Sequence, residues 1–69
     1  LDFVATKANE KLYVQVTESM LEETVRNREL KPLQQIPDNY TKIVITLDKA
    51  LDEEYEGIHV VSLIDWLLN

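Results

Sequence analysis

The chain has 69 residues, with 13 Asp plus Glu against 7 Lys plus Arg, a net charge of −6, one glycine, one histidine and no cysteine. That length allows one small domain with a modest core, and the missing cysteines exclude disulfide or thiolate–metal staples. The acidic balance argues against nucleic acid, whose affinity rests on phosphate neutralisation by a basic face, and no apolar run is long enough for a membrane-spanning helix.

Leu1 to Thr17 reads as a β-hairpin. Leu1, Phe3 and Ala5 alternate with Asp2, Val4 and Thr6; Leu12, Val14 and Val16 alternate with Tyr13, Gln15 and Thr17. Lys7 to Glu10 supplies the turn, with Asn9 suited to positive φ. A one-residue slip turns the apolar set outward, so Phe3 should face Val14 and Ala5 should face Leu12. That register sets Asp2 opposite Gln15, with Thr17 one step along on the same face. A chain that opens inside a strand is expected to be preceded by further residues of a parent protein, of which 1–69 forms a single C-terminal domain.

A helix is expected from Ser19 or Met20, with Leu21, Val25, Leu30, Leu33 and Ile36 as its apolar stripe. Early Glu18, Glu22 and Glu23 and late Arg26, Arg28 and Lys31 complement the helix dipole, and Glu22 stands four residues before Arg26. Pro32 predicts a kink or break near Glu29 to Lys31, followed by a short second helix that ends before the Pro37-Asp38-Asn39 turn. Lys42 to Leu47 reads as a central strand, Asp48 to Glu56 as an acidic loop or helical turn, and Ile58 to Val61 as a further strand. Ser62-Leu63-Ile64-Asp65 has capping-box spacing before a last helix, Leu63 to Leu68. The fold class is therefore α/β, a mixed sheet in the order β-β-α-β-β-α, with crossover connections that imply parallel pairing.

Few catalytic constellations survive this composition. One glycine leaves no phosphate-binding G-x-x-x-x-G-K-[ST] loop, and no G-x-S-x-G elbow is present. A single histidine, His59, lies in a strand and reads as structural or solvent-facing. The acidic run Asp48, Asp52, Glu53, Glu54 and Glu56 lacks the alternating order of a calcium loop. Arg28 and Lys31 are weak candidates for phosphate. One trio has geometric content: Asp2, Gln15 and Thr17, an acid and an x-two-apart pair on neighbouring strands, the layout a metal-dependent phosphodiesterase uses.

Asp2-Phe3-Val4 followed by Tyr13 to Thr17 resembles the core hairpin of PD-(D/E)xK nuclease-like domains. More closely, the chain resembles the uncharacterised C-terminal domain attached to bacterial and archaeal AAA-type P-loop ATPases. The residues that carry this are Asp2-Phe3-Val4-Ala5, Tyr13 to Val16, Thr24, Arg28-Glu29-Leu30, Asp38-Asn39-Tyr40 with Lys42, and Leu63-Ile64-Asp65. The resemblance implies a truncated restriction-endonuclease-like core, with an ATPase domain and a winged-helix-like region upstream, where ATP would bind. Asp2 matches the metal-binding acid. Gln15 stands where that family has Glu or Asp, and Thr17 where it has lysine, so the site is degenerate: an amide brings no negative charge and a hydroxyl no positive charge.

The leading expectation is a cytoplasmic, non-catalytic accessory domain of an ATP-binding protein, its partner that protein's own ATPase domain or another protein. The rival is a Mg²⁺-dependent nuclease with Asp2 as metal ligand and Gln15 as a weaker one. A third reading is homodimerisation through an exposed sheet edge.

Overall fold

The computed structural model describes residues 2–68. The strands are β1 (Phe3–Lys7), β2 (Glu10–Thr17), β3 (Thr41–Thr46), β4 (Asp52–Tyr55) and β5 (Ile58–Ser62), with helices α1 (Glu23–Gln34) and α2 (Leu63–Leu68). They build one five-stranded mixed sheet in the spatial order β1-β2-β3-β5-β4. The α/β class holds, with one strand more than the sequence signals.

The hairpin β1–β2 pairs Phe3 with Val14 and Ala5 with Leu12. This is the register that keeps the apolar residues on one face. The positive φ of its turn falls on Ala8 (52°) rather than on Asn9. β3 runs parallel to both neighbours: Val14 stands beside Ile43 and Gln15 beside Val44, while Ile43 stands beside His59 and Val44 beside Val60. Parallel neighbours need crossovers, and α1 is the first of these.

Side chains alternate across the sheet, so the register assigns two faces. The inner face carries Tyr13, Gln15, Lys42, Val44, Ile58 and Val60, and α1 contacts the strands that bear them. Leu30 and Leu33 of α1 close the core against Tyr13, Val44, Ile58 and Val60, with Met20 at one end. The outer face carries Phe3, Leu12, Val14, Val16, Ile43 and Ile45. There Val14 and Ile45 are buried, while Phe3 and Val16 are exposed.

Several expectations are corrected. Residues Asp52–Tyr55 form β4, antiparallel to β5, where a loop or helical turn was expected. Edge pairing of backbone, not apolar patterning, makes this strand, and its acidic side chains stay in water. Its two-residue turn is Glu56-Gly57, with φ of 50° and 84°, the double positive φ of a type I′ hairpin. The helix starts at Glu23, not near Met20, because Ser19 and Met20 are held by Asp48 across the sheet end. It runs through Pro32 to Gln34 with no second helix. Pro32 lies in the last turn, where it forfeits only one hydrogen bond. Glu22 and Arg26 are not ion-paired. The Glu22 carboxylate accepts from the Thr24 hydroxyl at 2.8 Å, and the Arg26 guanidinium donates to the Met20 carbonyl and lies 5.4 Å from the Tyr55 ring centre. The Ser62 hydroxyl is fully buried without a partner, so it does not cap α2.

Two outcomes test this account by urea unfolding. Leu33 is 0% exposed, and Leu33→Ala should cost about 2–5 kcal/mol. A core of this size supplies no more than about 3–5 kcal/mol, so that variant should be largely unfolded without denaturant. Glu56→Asn places a residue tolerant of positive φ before Gly57 and should raise stability by about 0.5–1 kcal/mol.

Candidate functional site

The observed register keeps Asp2 level with Gln15, one residue beyond the Phe3–Val14 pair. Some of their polar atoms are engaged elsewhere. The Asp2 carboxylate accepts the Val16 backbone N–H at 2.5 Å. It thereby stands in for the strand partner that Val16 lacks at the sheet edge. The Gln15 amide donates to Glu29 Oε1 on α1 at 3.1 Å. The Thr17 hydroxyl lies 3.4 Å from the Ser19 carbonyl oxygen, which accepts from it.

These residues do not fit a divalent cation. Asp2 accepts one backbone N–H and keeps other lone pairs free, but it is the only carboxylate of the trio. The Gln15 carbonyl oxygen Oε1 is buried and unpartnered, but it is a single neutral donor. Among the described residues no three Asp, Glu, His or Cys side chains gather as a metal set. Arg28 is 73% exposed at its side chain and 3.9 Å from Glu29, and Lys31 is exposed in the last turn of α1. Only Lys31 stands where it complements the helix end. His59 is solvent-facing, 3.3 Å from Glu54.

The built polar sites lie elsewhere, around Asp48 and Asp38. At the carboxyl ends of β2 and β3, Asp48 accepts from the Ser19 hydroxyl (2.8 Å), the Met20 N–H (2.7 Å) and the Thr46 hydroxyl (2.7 Å). The Asp48 N–H in turn donates to Thr46 Oγ1 at 3.2 Å. Burial pushes the Asp48 carboxyl up, but the three donors outweigh it and hold the group below the usual aspartate range. A Thr-x-Asp ending on a β-branched run is the signal that marks this group in the sequence.

At the opposite sheet end, Asp38 accepts from the Tyr13 hydroxyl at 2.5 Å and from the Tyr40 N–H at 3.0 Å. Lys42, 9% exposed, donates to the carbonyls of Asp38 (2.6 Å) and Tyr40 (3.1 Å) and stands 3.4 Å from the Asp38 carboxylate. Lys11 and Lys42 both lie within 6 Å of the Tyr13 ring centre, at 5.9 and 5.6 Å. The Tyr13 hydrogen bond leads the effects that hold Asp38 low, and the same bond raises Tyr13. Beside this cluster a cleft of about 520 Å³ opens between the β1–β2 turn and Tyr40. Lys7 and Lys11 line it, but Lys11 also lies 5.6 Å from the Tyr40 ring centre.

Comparison with known proteins adds one relative. The chain is 46% identical over 68 residues to an uncharacterised protein of Haemophilus influenzae. The match covers 99% of this chain but only 16% of the Haemophilus protein's length. No family model and no solved structure matches the chain. Among the described residues no helix is long and apolar enough to cross a membrane.

Both clusters set a pH dependence with a defined sign. Asp38 and Asp48 are lowered in the fold, so their contribution is full above the ordinary aspartate value of about 3.9 and lost as pH falls through the lowered values. Tyr13 is raised, so its contribution is full below about 10 and lost as pH rises through the raised value. Urea unfolding between pH 3 and 11 should show stability falling at both extremes. Tyr13→Phe should abolish the alkaline contribution of residue 13 and weaken the acid one. Asp48→Asn should cost about 1–2 kcal/mol at pH 7 and flatten only the acid limb.

Proposed function

We propose that this chain is a non-catalytic accessory domain of a longer, cytoplasmic ATP-binding protein, acting through packing and contact while nucleotide chemistry belongs to another part of that protein. One observation carries this reading. Of the three residues at which a metal-dependent nuclease needs charge or a ligand, only Asp2 brings a carboxylate, and it accepts the Val16 N–H, while Gln15 and Thr17 bring no charge.

Two further observations support it. The residues on which the resemblance to ATPase-associated domains rests are mostly occupied in holding the chain together. Tyr13, Asp38, Tyr40 and Lys42 form one cluster, Leu30 is core, Thr24 bonds Glu22, and Glu29 ties α1 to β2. The matched segment is also a minor part, 16%, of the Haemophilus relative. The cytoplasmic placement rests on the absence of cysteine, which fits a reducing compartment. In the rival nuclease reading the unpartnered Gln15 Oε1 is a ligand. That reading requires a metal to be held by a single carboxylate, Asp2, and a neutral amide oxygen, with no lysine at the Thr17 position.

Titration with Mg²⁺ and Mn²⁺ into the millimolar range, followed by backbone amide shifts, separates the two. The expected result is no site-specific shift at Asp2, Gln15 or Val16, and no cleavage of single- or double-stranded DNA. Metal-dependent cleavage that Asp2→Ala abolishes would overturn the proposal.

A further inference from the structure

Most polar side chains discussed so far bond to other parts of the fold, but those around the cleft beside the β1–β2 turn do not. The hydrogen bonds at this end of the sheet run between Tyr13, Asp38, Tyr40 and Lys42. Thr6, Asn9, Asn39 and Thr41 line the adjoining space of about 520 Å³. Among the described residues their side chains form no hydrogen bond within the fold.

Two of the chain's cations, Lys7 and Lys11, line the same cleft. Lys11 is partly buried and carries three N–H donors. Leu12 stands beside Thr41, which sets Lys11 level with Tyr40, and the Lys11 ammonium lies 5.9 Å and 5.6 Å from the Tyr13 and Tyr40 ring centres. A ring face compensates part of the charge but supplies no oxygen. Lys7 stands opposite Glu10 in the last pair of the hairpin. Among the described residues neither lysine forms an ion pair. Glu10 is the one carboxylate that lines the cleft, so two ammonium groups leave a local positive excess in a chain of net charge −6. A partly buried ammonium without a counter-ion gains from an anion that reaches it.

We infer that this cleft binds a small phosphate monoester with a planar, apolar body. The phosphate meets Lys11, supported by Lys7 and by the amide and hydroxyl donors around them. The body lies along the ring of Tyr40, which is 42% exposed, and the apolar side of Leu12. Phosphate follows from the donors: it brings three terminal oxygens to a site rich in N–H and O–H groups, and lysine serves it as a point charge. The volume falls in the range of small-molecule sites, about 300–1,000 Å³. A long polyanion is a poor occupant, because the acidic chain around the cleft repels extended phosphate at long range. The cluster of Tyr13, Asp38 and Lys42 fixes the backbone at Tyr40, so the wall of the cleft is in place before a ligand arrives.

Threonine-methyl NMR on the polypeptide that carries this domain, titrated with phenyl phosphate at constant ionic strength, tests the inference. The Thr6 and Thr41 signals should shift saturably in the millimolar range, while Thr24 on α1 and Thr46 at the far end of β3 stay in place. Inorganic phosphate and benzoate should each move the same two signals more weakly. Lys11→Ala should weaken phenyl phosphate by about tenfold, as the loss of a charge-assisted hydrogen bond does, and Lys11→Arg should keep binding. Tyr40→Leu should bring phenyl phosphate down to the level of inorganic phosphate. An unchanged Thr46 signal in each variant shows that the fold is intact. No saturable shift at Thr6 and Thr41, a shift that Lys11→Ala leaves unaltered, or benzoate binding as tightly as phenyl phosphate overturns the inference. None of these outcomes depends on metal binding or DNA cleavage, so the inference and the accessory reading fail separately.

Discussion

A strand paired in parallel on both sides can be joined to its neighbours only by crossovers, and β3 is such a strand. Each crossover end must then be fixed against a strand that is distant in sequence. Two aspartates do this for the connection through α1. Asp48, beyond the end of β3, holds Ser19 and Met20 where the chain leaves β2. Asp38, before the start of β3, holds Tyr13 on β2 where the chain returns. The core of Leu30, Leu33 and Val44 packs between these two pins, so the placement of α1 on the sheet depends on both.

The polar inventory of the chain is largely spent on that task. Asp2 completes a sheet edge, Gln15 ties β2 to α1, and Lys42 satisfies the carbonyls of the turn that leads into β3. Charge-assisted hydrogen bonds of this kind contribute more than neutral ones, and breaking one strands a buried group. Residue types that look catalytic in a linear motif are here the parts of a clamp. Chemistry at Asp2 or Gln15 would compete with the bonds that keep the edge and the helix in place.

How much of this was legible depended on whether a local pattern or a distant partner decided each feature. The hairpin register was legible, because pairing Phe3 with Val14 and Ala5 with Leu12 keeps the hairpin's apolar residues on one face, but that face is the outer one, and Tyr13 and Gln15 meet α1 instead. The two crossover strands were legible from the β-branched runs Ile43-Val44-Ile45 and Ile58 to Val61. β4 was not, because Asp52-Glu53-Glu54 carries no apolar alternation and gains its strand state from backbone pairing with β5. The role of Asp48 was hidden for a related reason: its partners lie 28 and 29 residues away, and in sequence it is one more acid in an acidic run. Ser62 shows the opposite failure. Its spacing to Asp65 fits a capping box, but its hydroxyl is sealed inside the fold, where burial overrides the local signal. For the candidate site, the sequence placed Asp2 level with Gln15 and could not show that the Asp2 carboxylate accepts the Val16 N–H or that the Gln15 amide N–H donates to Glu29.

The two sheet faces therefore stand in different conditions. The inner face is closed: its apolar residues meet α1, and the polar ones there are mostly paired. The outer face is almost free of hydrogen-bonding side chains on β2 and β3, where Leu12, Val14, Val16, Ile43 and Ile45 succeed one another. Its polar side chains, His59, Glu54 and Asp52, stand at the β5–β4 side. What it can do is release water when another apolar surface covers it, at about 25 cal/mol per Å². Its centre, Val14 and Ile45, is already buried, while Phe3 and Val16 at its margin stay exposed, so the apolar contacts of the hairpin add to the stability that α1 provides on the inner face.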